Sequence, residues 1–330
     1  MVQLLKINNP GLVFISVFLS IAIHILAAIF PADFQFLANY SEPLSQLIFP
    51  NMVSMGNVGF YLLLFVGCVI QLIQAFLVDN ILNNYKIIGK RSYIGGMIFV
   101  LASSLDKSWL FFSPMQISLL LILLLINDIF ALSKQERFYK EFFNIGFSVS
   151  LSVLFYFPSL FLLLFIFPAL FSVRPFHIKD VLRVLVGIVT PIFMVASIYF
   201  LTDQSENLST AIANQFKLPL LSISFFTKQH AVSLILIATW LVLSGLFVVA
   251  IPFSITMQTR KMIGVLIIET VLCTLFFFFP THFTIAYLLL ISPLIAIFLA
   301  ILLSEMKNDL IANVIFGLLI VSTFSVIIFN

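Results

Sequence analysis

Glu269 is the only acidic residue set well within an apolar run of this sequence, in VLIIETVLCTLF. An ionised group in the middle of a bilayer costs several kcal/mol, so such a carboxyl reads first as a carrier of a proton or a small cation. Thr270, Cys273 and Thr274 fall on neighbouring helical faces and give it a polar stripe. The structural alternative is a hydrogen-bonded carboxyl near the membrane surface. His24, His230 and His282 lie toward one side of the chain's apolar runs, where Asp33 and Glu42 could join them around a metal. No HExxH or comparable ligand spacing supports this, so no metal and no cofactor is expected. Phosphate-binding glycine loops, a GxSxG elbow and CxxC pairs are likewise missing from the sequence. Gln71 and Gln74, at i and i+3, read as helix–helix hydrogen bonds rather than ligands. Asp79, Asn80, Asn83 and Asn84 read as the place where that helix leaves the lipid.

These residues must be positioned by membrane helices. Of the 330 residues 62% are hydrophobic, 40 are phenylalanine and 9% are charged, against about 25% charged in an ordinary soluble domain. At about 20 apolar residues per span, the chain has room for roughly eleven spans in one all-α transmembrane domain covering 1–330. The expected spans are 11–30, 58–78, 92–105, 114–132, 142–157, 159–173, 181–201, 231–250, 262–279, 283–303 and 310–329. The last four form the C-terminal part, 231–330. Cys68 and Cys273 both sit in apolar runs, which makes a disulfide framework unlikely on position alone.

Charge placement orients the spans. If 142–173 is a short hairpin crossing twice, all of the 16 basic residues except Lys107, Lys217 and Lys228 share one side. If it crosses once, the division is nearly even and the orientation signal vanishes. The reading is therefore a cytoplasmic N-terminus, an outside C-terminus and a hairpin with Pro158 at its tip. Two of the predicted elements, 92–105 and the hairpin, are short for a hydrocarbon core of about 30 Å. Both stop early on the outer face, which implies either a concavity there or local thinning of the bilayer. Ser113-Pro114 reads as an N-cap and first turn. The outer loops are 31–57, with Leu44, Leu47 and Ile48 at the spacing of a short helix lying on the membrane, and 202–230, which holds Lys217, Lys228 and His230. The basic joints carry charges in ones to threes, which accounts for orientation and gives no reason to expect nucleic acid. The two halves show no internal repeat.

The combination of a first span, an outer loop with an acid just past it (FPADF, Asp33) and a basic-flanked short hairpin with a proline tip (LFYFPSLF) resembles the multispan glycosyltransferases of the GT-C type. The likeness is one of layout and covers roughly residues 1–201. It implies an enzyme using a polyprenyl-phosphate-linked sugar at the outer face of a bacterial inner membrane. The resemblance then implies for Asp33 the role of general base, or of partner to the acceptor or a metal, with Glu42 as the second acid, nine residues on rather than adjacent. Lys107, Lys217 and Lys228, joined by His230 and His282, would serve the phosphate and sugar. Two other readings stand beside it: a non-catalytic subunit of a cell-envelope complex, with membrane lipids and other envelope proteins as partners, and a proton-coupled transporter using Glu269.

Overall fold

The computed structural model describes residues 11–30, 42–89, 91–133, 139–173, 178–215, 228–250, 256–277, 285–306 and 308–329. Among these residues there are thirteen α-helices and no strand. They are α1 (Gly11–Ile29), α2 (Pro43–Val53), α3 (Asn57–Asn84), α4 (Ile94–Ala102), α5 (Pro114–Ala131), α6 (Tyr139–Phe155), α7 (Phe161–Val173), α8 (Ile178–Leu201), α9 (Ser205–Gln215), α10 (Lys228–Ala250), α11 (Met257–Phe277), α12 (Ser292–Glu305) and α13 (Asp309–Phe329). Short 3₁₀ turns precede α5, α7 and α12, at Lys107–Leu110, Phe157–Leu160 and Ile285–Ile291. Six helical stretches are long and apolar enough to cross a membrane: Gly11–Ile29, Asn57–Asn84, Pro114–Ala131, Ile178–Leu201, Ala286–Glu305 and Asp309–Ile328. Two shorter apolar stretches, Phe157–Val173 and Ala231–Leu246, accompany them. The chain is an all-α protein of membrane-spanning character.

α4 and α12 form the centre. Every residue of α4 is buried, and so is nearly all of Ala286–Glu305. The two pack on each other, with α3, α1 and α13 around α4 and α10 against α12. The outermost helices instead turn large side chains outward: Phe14 and Phe18 of α1, and Val189, Phe193 and Phe200 of α8, are all exposed. That inversion is what a helix facing hydrocarbon shows.

The expected hairpin is present as α6, a turn holding Pro158, and α7, but its arms serve different neighbours. α6 lies against α5 and α8, whereas α7 lies against α11. The α6–α8 contact is set by two glycines. A Cβ on Gly146 would meet the carbonyl oxygen of Val184, and one on Gly187 would meet that of Phe143. At the tip, Ser118 of α5 bonds both Ser152 and Ser159 at 2.5 Å, tying the turn to the bundle.

Two expectations are corrected. The 92–105 segment yields only the nine-residue α4, which at about 1.5 Å per residue rises about 14 Å and cannot cross alone. The 202–230 segment is not a continuous loop: it contains α9 and the first turn of α10. The short helix of the first outer segment is present as α2, with Phe49 buried against Phe112 (5.2 Å between rings) and Leu47 exposed. Tyr199 of α8 donates to the Pro43 carbonyl at 2.8 Å and holds its start.

Candidate functional site

The crossing antiparallel to α3 is broken. At one end Asn83 grips Ser92, donating from Nδ2 to the Ser92 carbonyl (2.9 Å) and accepting its N–H (3.0 Å). At the other end the Phe112 N–H donates to the Leu63 carbonyl at 2.9 Å. Those two anchor points are separated by about 30 Å along α3, the thickness of a hydrocarbon core. Between them the chain is helical only over α4. The rest, from Ser103 to Ser113, is turn, 3₁₀ and extended backbone, buried almost throughout. Non-helical backbone at that depth is tolerated only where protein or water satisfies it. Here protein fills the space where a concavity was expected above α4.

Its satisfaction comes from α1, α3 and α5. Gln71 of α3 donates to Ser103 Oγ (2.9 Å) and Ser104 Oγ (3.0 Å), and its Oε1 accepts from Ser20 of α1 (2.7 Å). Gln74 donates to the Gln116 carbonyl and Gln116 to the Trp109 carbonyl, both at 2.7 Å. His24 of α1 places Nδ1 at 2.9 Å from the Ser20 carbonyl and Nε2 at 3.2 Å from the Leu110 carbonyl. Gly67 makes room for the connection: a Cβ there would strike the Leu110 carbonyl and the Phe112 nitrogen. At the foot, the Asp79 carboxylate accepts the Gly96 N–H at 2.7 Å. So α4, whose own N-cap Tyr93 offers no side-chain bond, is capped from α3.

Three buried polar atoms beside the connection have no hydrogen-bond partner: Trp109 Nε1, Ser113 Oγ and Gln116 Oε1. Ser113 does occupy the N-cap position of α5 with Pro114 following, as expected, yet its hydroxyl makes no capping bond. Each such atom costs on the order of 1–3 kcal/mol when left bare.

The residues singled out from sequence occupy separate surroundings. Lys107 begins the 3₁₀ turn of the broken crossing, buried, with its ammonium 5.9 Å from the centre of the Phe30 ring. Its neighbour Asp106 accepts from the Ser108 N–H at 3.0 Å. Glu42 is buried at the start of α2 and accepts from Ser45 Oγ at 3.2 Å. Glu269 is buried in α11 with Oε2 unpartnered. Asp33, Lys217 and His282 lie outside the described residues. Lys228 and His230 fall in the first turn of α10, and their side chains lie outside the description. Among the described residues no group of three or more His, Cys, Asp or Glu is placed to hold a metal ion. Sequence reasoning identified the role of Gln71 and Gln74 and missed that of Asp79, Gln116 and the Ser103-Ser104 pair. The visible signal was SSLDKS, a polar run inside an apolar stretch.

Comparison of the chain with protein-family models, with curated proteins and with solved structures finds no match. What the broken crossing does must be argued from its own chemistry.

Replacing Gln71 by Leu keeps the volume and removes four polar contacts, to Ser20, Val100, Ser103 and Ser104. We expect a loss of about 1–2 kcal/mol, given that hydrogen bonds between membrane helices average about 0.6 kcal/mol. For a chain of this size that is a fall in Tm of about 2–8 °C in detergent. An unchanged Tm would mean that the seam contributes no stability.

Proposed function

We propose that this is an integral membrane protein of about eleven crossings, N-terminus in the cytoplasm, that handles a polyprenyl-phosphate-linked sugar at its outer end in the manner of a GT-C-type glycosyltransferase. The observation that carries the reading is Lys107. A cation at the outer end of the broken crossing is buried and rests over an aromatic ring rather than in water. A desolvated ammonium gains most from an anionic ligand, and a phosphate meets that need with charge-assisted hydrogen bonds. Phe30, the ring beneath it, stands three residues before Asp33 in the sequence.

In this reading Lys107 holds the phosphate of the donor while Asp33 takes the proton of an acceptor hydroxyl. The bond between the sugar's anomeric carbon and the phosphate oxygen breaks, and the acceptor oxygen bonds that carbon. Polyprenyl phosphate leaves with the electron pair, paired with Lys107. Glu42, buried and engaged by Ser45, supports the outer segment rather than the chemistry.

The test is native mass spectrometry of the protein purified in mild detergent and supplied with a polyprenyl-phosphate sugar. The expected result is a one-to-one adduct that weakens at least about tenfold in Lys107→Ala, a loss of about 1.4 kcal/mol. Asp33→Asn should keep the adduct and abolish its turnover. A stoichiometric protein partner with only bulk lipid bound would make the chain a subunit of an envelope complex and remove the catalytic reading.

A further inference from the structure

α11 carries a second buried group that the outer-end reading does not use. Glu269 is 1% exposed, and its Oε2 has no hydrogen-bond partner. The position can be fixed along the bundle. Lys261 Nζ donates to the Val173 carbonyl at 3.3 Å, and Phe276 meets Phe161 at 6.1 Å between ring centres, so α11 runs antiparallel to α7. Glu269, midway between Lys261 and Phe276, stands level with the middle of α7, at about residues 166–168. Pro168 occupies that level within α7. A proline inside a helix removes one backbone hydrogen bond and permits a bend there.

Among the described residues no cation stands at that level to pair with the carboxyl. α7 contributes no titratable side chain. The Ile285–Ile291 turn contributes Tyr287, which donates to the Cys273 carbonyl at 2.9 Å. Cys273, Tyr287 and, beyond Tyr287, Tyr156 are the titratable groups within electrostatic range. Arg260 and Lys261 begin the same helix about 12 Å away along its axis. A bare carboxylate in such a place would cost several kcal/mol, whereas a carboxylic acid is uncharged and brings its own donor. The neighbours named here offer the carboxyl no opposite charge and leave Oε2 bare.

We infer that Glu269 is an exchangeable proton site inside the bundle, level with Pro168 of α7. The exchange is a simple transfer: the carboxyl gives its proton to water and takes it back from hydronium. The site is independent of the phosphate reading at the outer end, and each survives the failure of the other.

Dicyclohexylcarbodiimide, an apolar reagent that enters membranes, tests it. The acid's proton moves to a carbodiimide nitrogen, the carboxylate oxygen adds to the central carbon, and the O-acylisourea rearranges to a stable N-acylurea with no leaving group. Peptide mass spectrometry of the full-length protein in liposomes should locate this adduct on Glu269. Its yield should fall as pH rises, as an exchanging acid loses its proton to bulk. Glu269→Gln should lose the adduct while keeping its Tm. A yield independent of pH would show a permanently protonated structural group and overturn the inference, as would no labelling at all. Protection by sodium at constant pH would assign the carboxyl to sodium instead and would equally overturn it.

Discussion

Gly187→Val should separate α6 from α8 and lower the Tm of the purified protein by about 6–12 °C, the largest single effect we expect outside the centre of the bundle. The cause is that both neighbours are backbone. A side chain on Gly187 meets the Phe143 carbonyl and the Phe147 nitrogen, and one on Gly146 meets the Val184 carbonyl and the Ile188 nitrogen. Overpacking against a side chain costs about 1–3 kcal/mol because a rotamer can yield, but a carbonyl inside a helix cannot turn away without breaking its own bond. Membrane helices have little hydrophobic drive to associate and depend on such close approach. Gly146→Val should therefore do nearly as much, and the double variant should do less than the sum, because both remove one contact. Gly264 supplies the control. Nothing lies within 4 Å of a Cβ placed there, so Gly264→Ala should be neutral or stabilising by up to about 1 kcal/mol. If Gly187→Val and Gly264→Ala behaved alike, the close packing of α6 on α8 would be discredited.

The helices were legible because charge marks their ends. Lys86 and Arg91, or Lys140 and Arg183, flank apolar runs whose backbone must bond internally, and each expected segment holds a helix. What the sequence could not show is how a short run is completed. The segment from Ser92 to Leu105 is apolar and looks like a span, but its helix stops at Ala102 because Ser103 and Ser104 return their hydroxyls to the Phe99 and Val100 carbonyls, and Gln71 takes up both oxygens from α3. That partner lies about 30 residues away in sequence and carries no periodic signal. The candidate site was legible in its residue types but not in their grouping: Lys107 was singled out as an outer cation, whereas its seat over Phe30 depends on the path of the connection. Asp79, Asn80, Asn83 and Asn84 do close α3, which ends at Asn84, but the sequence did not show that Asp79 and Asn83 bond the following segment of chain.

Asp79 should accordingly be the polar residue whose loss costs most. Its carboxylate receives the Gly96 N–H at 2.7 Å, the third residue of a helix only nine residues long. The first N–H groups of a helix have no partner within it, and in α4 they are buried, so removing the acceptor strands a donor away from water. Asp79→Ala removes the acceptor and should cost about 3 kcal/mol, whereas Asp79→Asn keeps one and should cost about 1 kcal/mol. The order of the two variants is what separates capping from mere packing, since both shorten or blunt the same side chain. A local reporter distinguishes it further. Ser104 lies buried at the far end of α4, and a thiol placed there as Ser104→Cys should be shielded from maleimide in membranes. Adding Asp79→Ala should expose it, because a helix without its cap frays and the connection it supports loses its bond to Gln71. Labelling that stayed at the parent level, with Asp79→Ala and Asp79→Asn equally stable, would mean that α4 is held by its apolar contacts with its neighbouring helices and that the broken crossing needs no polar anchor.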